Sequence, residues 1–97
     1  MIENAFKSYN GLLILKYLTS TPDSEKYQAE IASSLNLPPQ TVNRVLRKLS
    51  SLGLIIENRT RGKLIFYKID IDHPLIKALL PLFKEWNSID MYMAKKE

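Results

Sequence analysis

The segment Asn36-Leu37-Pro38-Pro39 constrains this chain more than any other. Proline has no N–H to donate and biases the residue before it away from helical backbone, so no helix runs through two consecutive prolines. Proline does suit the first position of a helix, where its missing N–H costs nothing. One helix therefore ends before this segment and another begins at Pro39. Beyond it, Val42, Val45, Leu46, Leu49 and Leu52 recur at three- and four-residue spacing and form one apolar stripe. Gln40, Thr41, Asn43, Arg44, Arg47 and Lys48 occupy the remaining surface. Gly53 follows the last apolar residue and suits a left-handed cap, so the spacing predicts a helix over 39–52. On the other side, Ala29, Ile31, Ala32 and Leu35 share a face and predict a short helix over 28–36. Its start is poorly marked, because Tyr27 stands where a Ser or Thr cap belongs, and Ser24 is an equal candidate.

The flanks complete the pattern. Phe6, Tyr9, Leu13 and Tyr17 predict a first helix over 4–20, ended by the breaker cluster Thr19–Ser24. After Gly53, the runs Leu54–Thr60 and Lys63–Ile69 read as two strands, with Arg61-Gly62 as a tight hairpin connection. A C-terminal helical segment follows His73-Pro74. In it, Leu75, Leu79, Leu82, Trp86, Ile89 and Met93 alternate spacings of four and three, the heptad seam of a helix held against another helix. Pro81 interrupts that seam and predicts a kink, or a short helix over 74–80 followed by a longer one from Pro81. Helices this short cannot bury a face alone. The second and third pack across their turn as a helix-turn-helix, and a hairpin directly after the third helix is a wing. The expected fold is mainly α with a small β-hairpin, in the order α-α-α-β-β-α. Residues 1–72 form a winged helix-turn-helix, and 73–97 form a helical dimerisation segment of the same compact unit.

Composition removes whole classes of function. The chain has 97 residues, one domain's worth, with ordinary hydrophobic and charged fractions of 45% and 25%. No apolar run reaches the roughly 18–20 residues of a membrane span. Met1–Lys16 lacks a signal-peptide cleavage pattern, so a cytoplasmic protein is expected. There is no cysteine, which excludes disulfides, thiolate catalysis and Cys-ligated metals. A single histidine, His73, argues against a His-rich metal site or a Ser-His-Asp triad. No cofactor, no metal and no enzymatic activity are expected. Asp70 and Asp72 form a close carboxylate couple and are read as capping the next helix.

The charge is segregated. Residues 40–69 hold seven basic side chains and one acid, Glu57, while the rest of the chain holds seven basic and nine acidic. A net charge of +4 says little alone, but +6 within one stretch points to a polyanion. The competing reading is an ordinary solvated face.

The stretch YQAEIASSLNLPPQTVNRVLRKLSSLGLIIENRTRGKLIFYKID resembles the winged helix core of MarR- and ArsR-type transcription regulators. The matching marks are Glu30-Ile31-Ala32, Asn36-Leu37-Pro38, Thr41-Val42, Leu46-Arg47-Lys48-Leu49, Leu52-Gly53-Leu54-Ile55 and Phe66-Tyr67-Lys68-Ile69. The resemblance covers about residues 5–70. It implies a third helix in the DNA major groove and a wing on flanking backbone or minor groove. The DNA-binding residues it implies are Gln40, Thr41, Asn43, Arg44, Arg47 and Lys48 on that helix, with Arg59, Arg61 and Lys63 on the wing. Their chemistry is apt: Arg pairs with guanine, Asn and Gln with adenine, and Lys with phosphate. The resemblance also implies a homodimer through terminal helices, with the seam from Leu75 to Met93 as interface, although that seam could instead pack on the first helix of its own chain. Cysteine-dependent sensing of the ArsR kind is impossible here, no MarR-type ligand pocket is visible, and the chain is short for a MarR protein. The expectation is thus a plain double-stranded DNA-binding regulator, acting as a repressor, of a compact form suited to an archaeal, viral or bacterial source. The alternative is a winged helix that binds proteins in a transcription or replication complex without reading DNA.

Overall fold

The computed structural model describes residues 9–59 and 62–86. In chain order the elements are α1 (Tyr9–Ser20), β1 (Lys26–Tyr27), α2 (Gln28–Leu35), α3 (Pro39–Ser51), β2 (Ile55–Asn58), β3 (Phe66–Ile69) and α4 (Pro74–Lys84). This is a mainly helical winged helix-turn-helix. Of the DNA-binding and interface residues expected from sequence, Arg61, Ile89 and Met93 lie outside the described residues, as do positions 4–8 of the first helix.

Two similar caps frame the helix-turn-helix. At the end of α2, Asn36 is left-handed at φ 55, and the Leu37 N–H donates to the Ala32 carbonyl at 2.9 Å. At the end of α3, Gly53 is left-handed at φ 74, and the Leu54 N–H donates to the Leu49 carbonyl at 3.1 Å. Each is a Schellman closure, and in each the residue after the left-handed one turns its side chain onto the core. Pro38 is extended at ψ 137, as a residue before proline should be, and Pro39 opens α3. The start of α2 is fixed at Gln28, whose Nε2 donates to the Pro39 carbonyl at 3.1 Å and ties the two helix starts together.

The core takes one stripe from each element. Ile14, Leu15 and Leu18 come from α1, Ile31 and Ala32 from α2, and Val42, Val45, Leu46 and Leu49 from α3. Leu54, Ile55, Tyr67, Ile69 and Ile76 close it from the wing and α4. Ala29, placed on the buried face from sequence, is exposed.

Four expectations are corrected. The sheet has three antiparallel strands in the order β1-β3-β2, where a two-stranded hairpin was expected. β1 is only two residues long, too short to carry any periodicity, and exists by pairing Lys26 with Tyr67 and Tyr27 with Phe66. The hairpin strands are shorter than expected, and residues 59–65 join them where a tight turn was expected. Gly62 still supplies a left-handed residue there, at φ 73. Of the two outcomes expected at Pro81, the short helix ending at 80 is not found: α4 runs through Pro81 to Lys84 and is capped at Glu85. Pro81 is exposed on α4, and the carbonyl it leaves without a partner belongs to the exposed Lys77, where water can satisfy it. Finally, the cap of α4 is His73 and neither aspartate. Its Nδ1 accepts from the Leu75 N–H at 3.1 Å, while Asp70 Oδ1 accepts from the Asp72 N–H in the preceding turn.

Candidate nucleic-acid interface

The face of α3 opposite the core is polar along its whole length. Gln40, Arg44, Arg47 and Lys48 are exposed, and Asn43 is half-buried. With Ser51 and Leu52 they line an open depression of about 470 Å³. Thr41 is half-buried and does not line it. Arg44, Arg47 and Lys48 form no ion pair among the described residues. Cations left unpaired in a row are available to an outside anion, and desolvating them against that anion breaks no internal partnership.

A second depression, of about 330 Å³, lies between the helix-turn-helix and the wing. Tyr27, Gln28 and Ala29 line one side, and Lys63, Leu64, Ile65 and Tyr67 the other. Asn43 lines both depressions and so marks where the helix face meets the wing. Lys63 is exposed and also without an ion pair among the described residues.

Arg59 differs from the other cations. Its Nη2 and Nε donate to Glu57 Oε1 at 2.9 and 3.2 Å. The Ser50 hydroxyl of α3 also donates to this carboxylate and is the largest cause holding it below its ordinary range, with Arg59 adding to that and partial burial opposing it. The one acid of the basic stretch thus joins the end of α3 to the wing. Across the sheet, Glu57 stands opposite Tyr67. Burial raises the Tyr67 phenol above its ordinary 10.0; Glu57 adds to this, and Arg59 and Arg47 oppose it.

Sequence reasoning named the cations but missed Ser50, Glu57, Ser51 and Leu52 as parts of this surface. The alternation of Ile55 and Glu57 against Tyr67 and Ile69 carried the signal, since period two puts all four on one face of the wing.

The described seam residues of the C-terminal segment, Leu75, Leu79, Leu82 and Trp86, are partly or fully buried within their own chain. Leu75 and Leu79 pack on the core, and Leu82 is half-buried. Trp86 is 6% exposed. It stacks on Tyr9 at 5.9 Å, lies 6.1 Å from the Phe83 ring, and has Lys16 Nζ 5.5 Å from its centroid. Among the described residues, no helix is long and apolar enough to cross a membrane, and no group of three or more His, Cys, Asp or Glu is placed to hold a metal ion.

A recognition helix with an open cationic face, followed by a wing, defines a winged helix-turn-helix DNA-binding domain of the transcription-regulator class. The pattern of the Crp-like helix-turn-helix domain matches residues 20–69, from the end of α1 through β3, and the chain belongs to that family. Among solved structures it is similar in fold to Lactococcus lactis ZitR, seen there as a double-substitution variant in apo form. The identity is 23% and the TM-score 0.62, over 88% of this chain. The match spans 64% of the ZitR chain. No curated protein matches the sequence.

Proposed function

We propose that this chain is a sequence-specific, double-stranded DNA-binding regulator that represses transcription as a cytoplasmic homodimer and catalyses no reaction. α3 enters the major groove with Gln40, Thr41, Asn43, Arg44 and Arg47 toward the base edges and Lys48 toward phosphate. The wing, with Arg59, Arg61 and Lys63, lies on flanking backbone or minor groove. The observation that carries this reading is the row of cations along the solvent face of α3, which have no ion-pair partner among the described residues. A two-fold dimer would set two such helices about 34 Å apart, one turn of DNA. In line with the likeness to MarR- and ArsR-type regulators, the C-terminal segment makes that dimer. Because Trp86, Leu75 and Leu79 already pack within the chain, Leu82, Ile89, Met93 and the exposed Tyr9 carry most of the contact.

The test is equilibrium binding to a labelled generic duplex across a salt series, with an Arg44→Ala/Arg47→Ala variant beside the wild type. The expected result is wild-type affinity that falls steeply with salt, and a variant with weaker binding and a slope reduced by about two. No wild-type binding at low salt, or a variant that binds equally well, refutes the reading and turns attention to protein partners.

A further inference from the structure

Adjacent major and minor grooves of a duplex are separated by one sugar-phosphate strand. With α3 in the major groove and the wing in the minor groove, that strand has to pass between them. What lies between the helix-turn-helix and the wing is the second depression. Its lining suits a polyanion. No carboxylate is among the described residues that line it, and Lys63 is exposed and forms no ion pair among the described residues. Glu30, the acid in the first turn of α2, is outside the lining and pairs with Lys26 at 3.7 Å. Tyr67 lines the depression although it is only 4% exposed, and its ring is part of the core, where phenylalanine would fill the same space. A buried tyrosine ordinarily gives its hydroxyl to a protein partner. This hydroxyl has none among the described residues, and it is not an enclosed unsatisfied group, so it opens to the solvent that fills the depression. On the other side, α2 begins at Gln28 without a side-chain cap, which leaves its first N–H groups for an outside acceptor. Leu64, on the wing side, is 51% exposed and offers an apolar face to a sugar ring.

We propose that this depression seats the sugar-phosphate strand that runs between the two grooves. One phosphate is held by the Lys63 ammonium, the Tyr67 hydroxyl and the first N–H groups of α2, with Leu64 against the adjoining deoxyribose. The inference rests on the DNA-binding function proposed above and gives Tyr67 a role beyond packing. Lys63 supplies the charge, and Tyr67 and α2 supply neutral donors, so the seat fixes where the domain stands on the strand without reading a base. Asn43, which lines both depressions, marks where the base-reading face gives way to this seat.

The experiment uses a duplex whose site the wild type has enriched from a random pool, prepared with a single uncharged methylphosphonate at each backbone position in turn. Wild type, Tyr67→Phe, Lys63→Ala and Lys68→Ala are compared, and thermal melting checks that each is folded. Tyr67→Phe keeps the ring and should weaken binding roughly tenfold. Its salt slope should not change, because a neutral hydroxyl releases no counterion, whereas Lys63→Ala should reduce the slope by about one. Within a half-site, one substituted phosphate that costs the wild type affinity should cost Tyr67→Phe and Lys63→Ala less, at the same position in both. Lys68 is the control: it follows Tyr67 in β3, pairs with Ile56 and projects from the opposite face of the sheet. Lys68→Ala should therefore keep the wild-type profile of sensitive positions. Unchanged affinity in Tyr67→Phe, sensitivity lost at different positions in Tyr67→Phe and Lys63→Ala, or the same loss in Lys68→Ala, overturns the seat while leaving the DNA-binding reading intact. Failure of the wild type to enrich a site, or of Arg44→Ala/Arg47→Ala to weaken binding to it, overturns both.

Discussion

Replacing Gly53 by alanine isolates the energy of one backbone conformation. A Cβ built on Gly53 meets nothing nearer than His73 Cδ2 at 4.0 Å, which is ordinary van der Waals contact. The steric contribution is therefore nil, and what remains is the left-handed backbone at φ 74. For a residue bearing a Cβ, that conformation costs about 1–2 kcal/mol. Alanine also restricts the unfolded chain, which offsets about 0.4–1 kcal/mol. The net expected loss is about 1 kcal/mol, a fall of roughly 4–8 °C in Tm for a domain of this size. Urea denaturation followed by far-ultraviolet circular dichroism measures it, with the m-value checked for constancy. Gly53→Asn is the internal control. Asn36 already holds the equivalent position in the other cap, so asparagine should recover a good part of the loss. A Gly53→Ala loss above about 3 kcal/mol would mean a clash the geometry does not contain. No loss at all, or an asparagine variant as unstable as the alanine one, would mean that the cap does not depend on the left-handed residue.

Two further outcomes follow from the wing and the aromatic cluster. The Glu57 carboxyl is held below its ordinary 4.5, so its contribution to stability is fully present above pH 4.5 and is lost as pH falls through the lower folded-state value. Glu57→Gln should therefore flatten the acid limb of the stability–pH curve; an unaltered acid limb refutes the assignment. Trp86 is the single tryptophan of the chain, and it is stacked on Tyr9 of α1. Trp86→Ala should cost about 3 kcal/mol, at the low end for burial of a large aromatic ring, because the stacked Tyr9 is itself exposed. In the wild-type chain, Tyr9→Ala should shift the tryptophan emission to the red, and an unmoved spectrum would contradict the packing.

Much of this molecule was legible because its punctuation is chemical. Pro38, Pro39 and Gly53 act through φ and a missing donor, so the limits of α3 followed from residue identity alone. Its polar face was legible for the same reason, since 3.6-residue periodicity assigns each side chain to a side. The parts that were not legible depend on pairing. β1 owes its existence to β3, which lies far away in the sequence, and two residues cannot display a period. The Ser50–Glu57–Arg59 link joins two elements whose relative placement is a tertiary fact. His73 displaced the aspartates as the cap of α4 because Pro74 fixes the chain direction where the ring, and not a carboxylate, faces the open N–H of Leu75. Pro81 misled in the opposite direction. The rule against proline inside a helix weighs a lost hydrogen bond, and at a solvent-facing position water reduces that loss.

The order β1-β3-β2 has a kinetic consequence. α2, its turn and α3 contact one another over short sequence separations, so their assembly requires little loop closure. Pairing Lys26 with Tyr67 instead brings together residues 41 positions apart, across both of those helices. The entropy of closing that loop must be met before the pairing returns anything, so the outer strand joins the sheet after the helical pair and the β2–β3 hairpin are in place. Substitutions in β1 should then speed unfolding and leave the folding rate nearly unchanged.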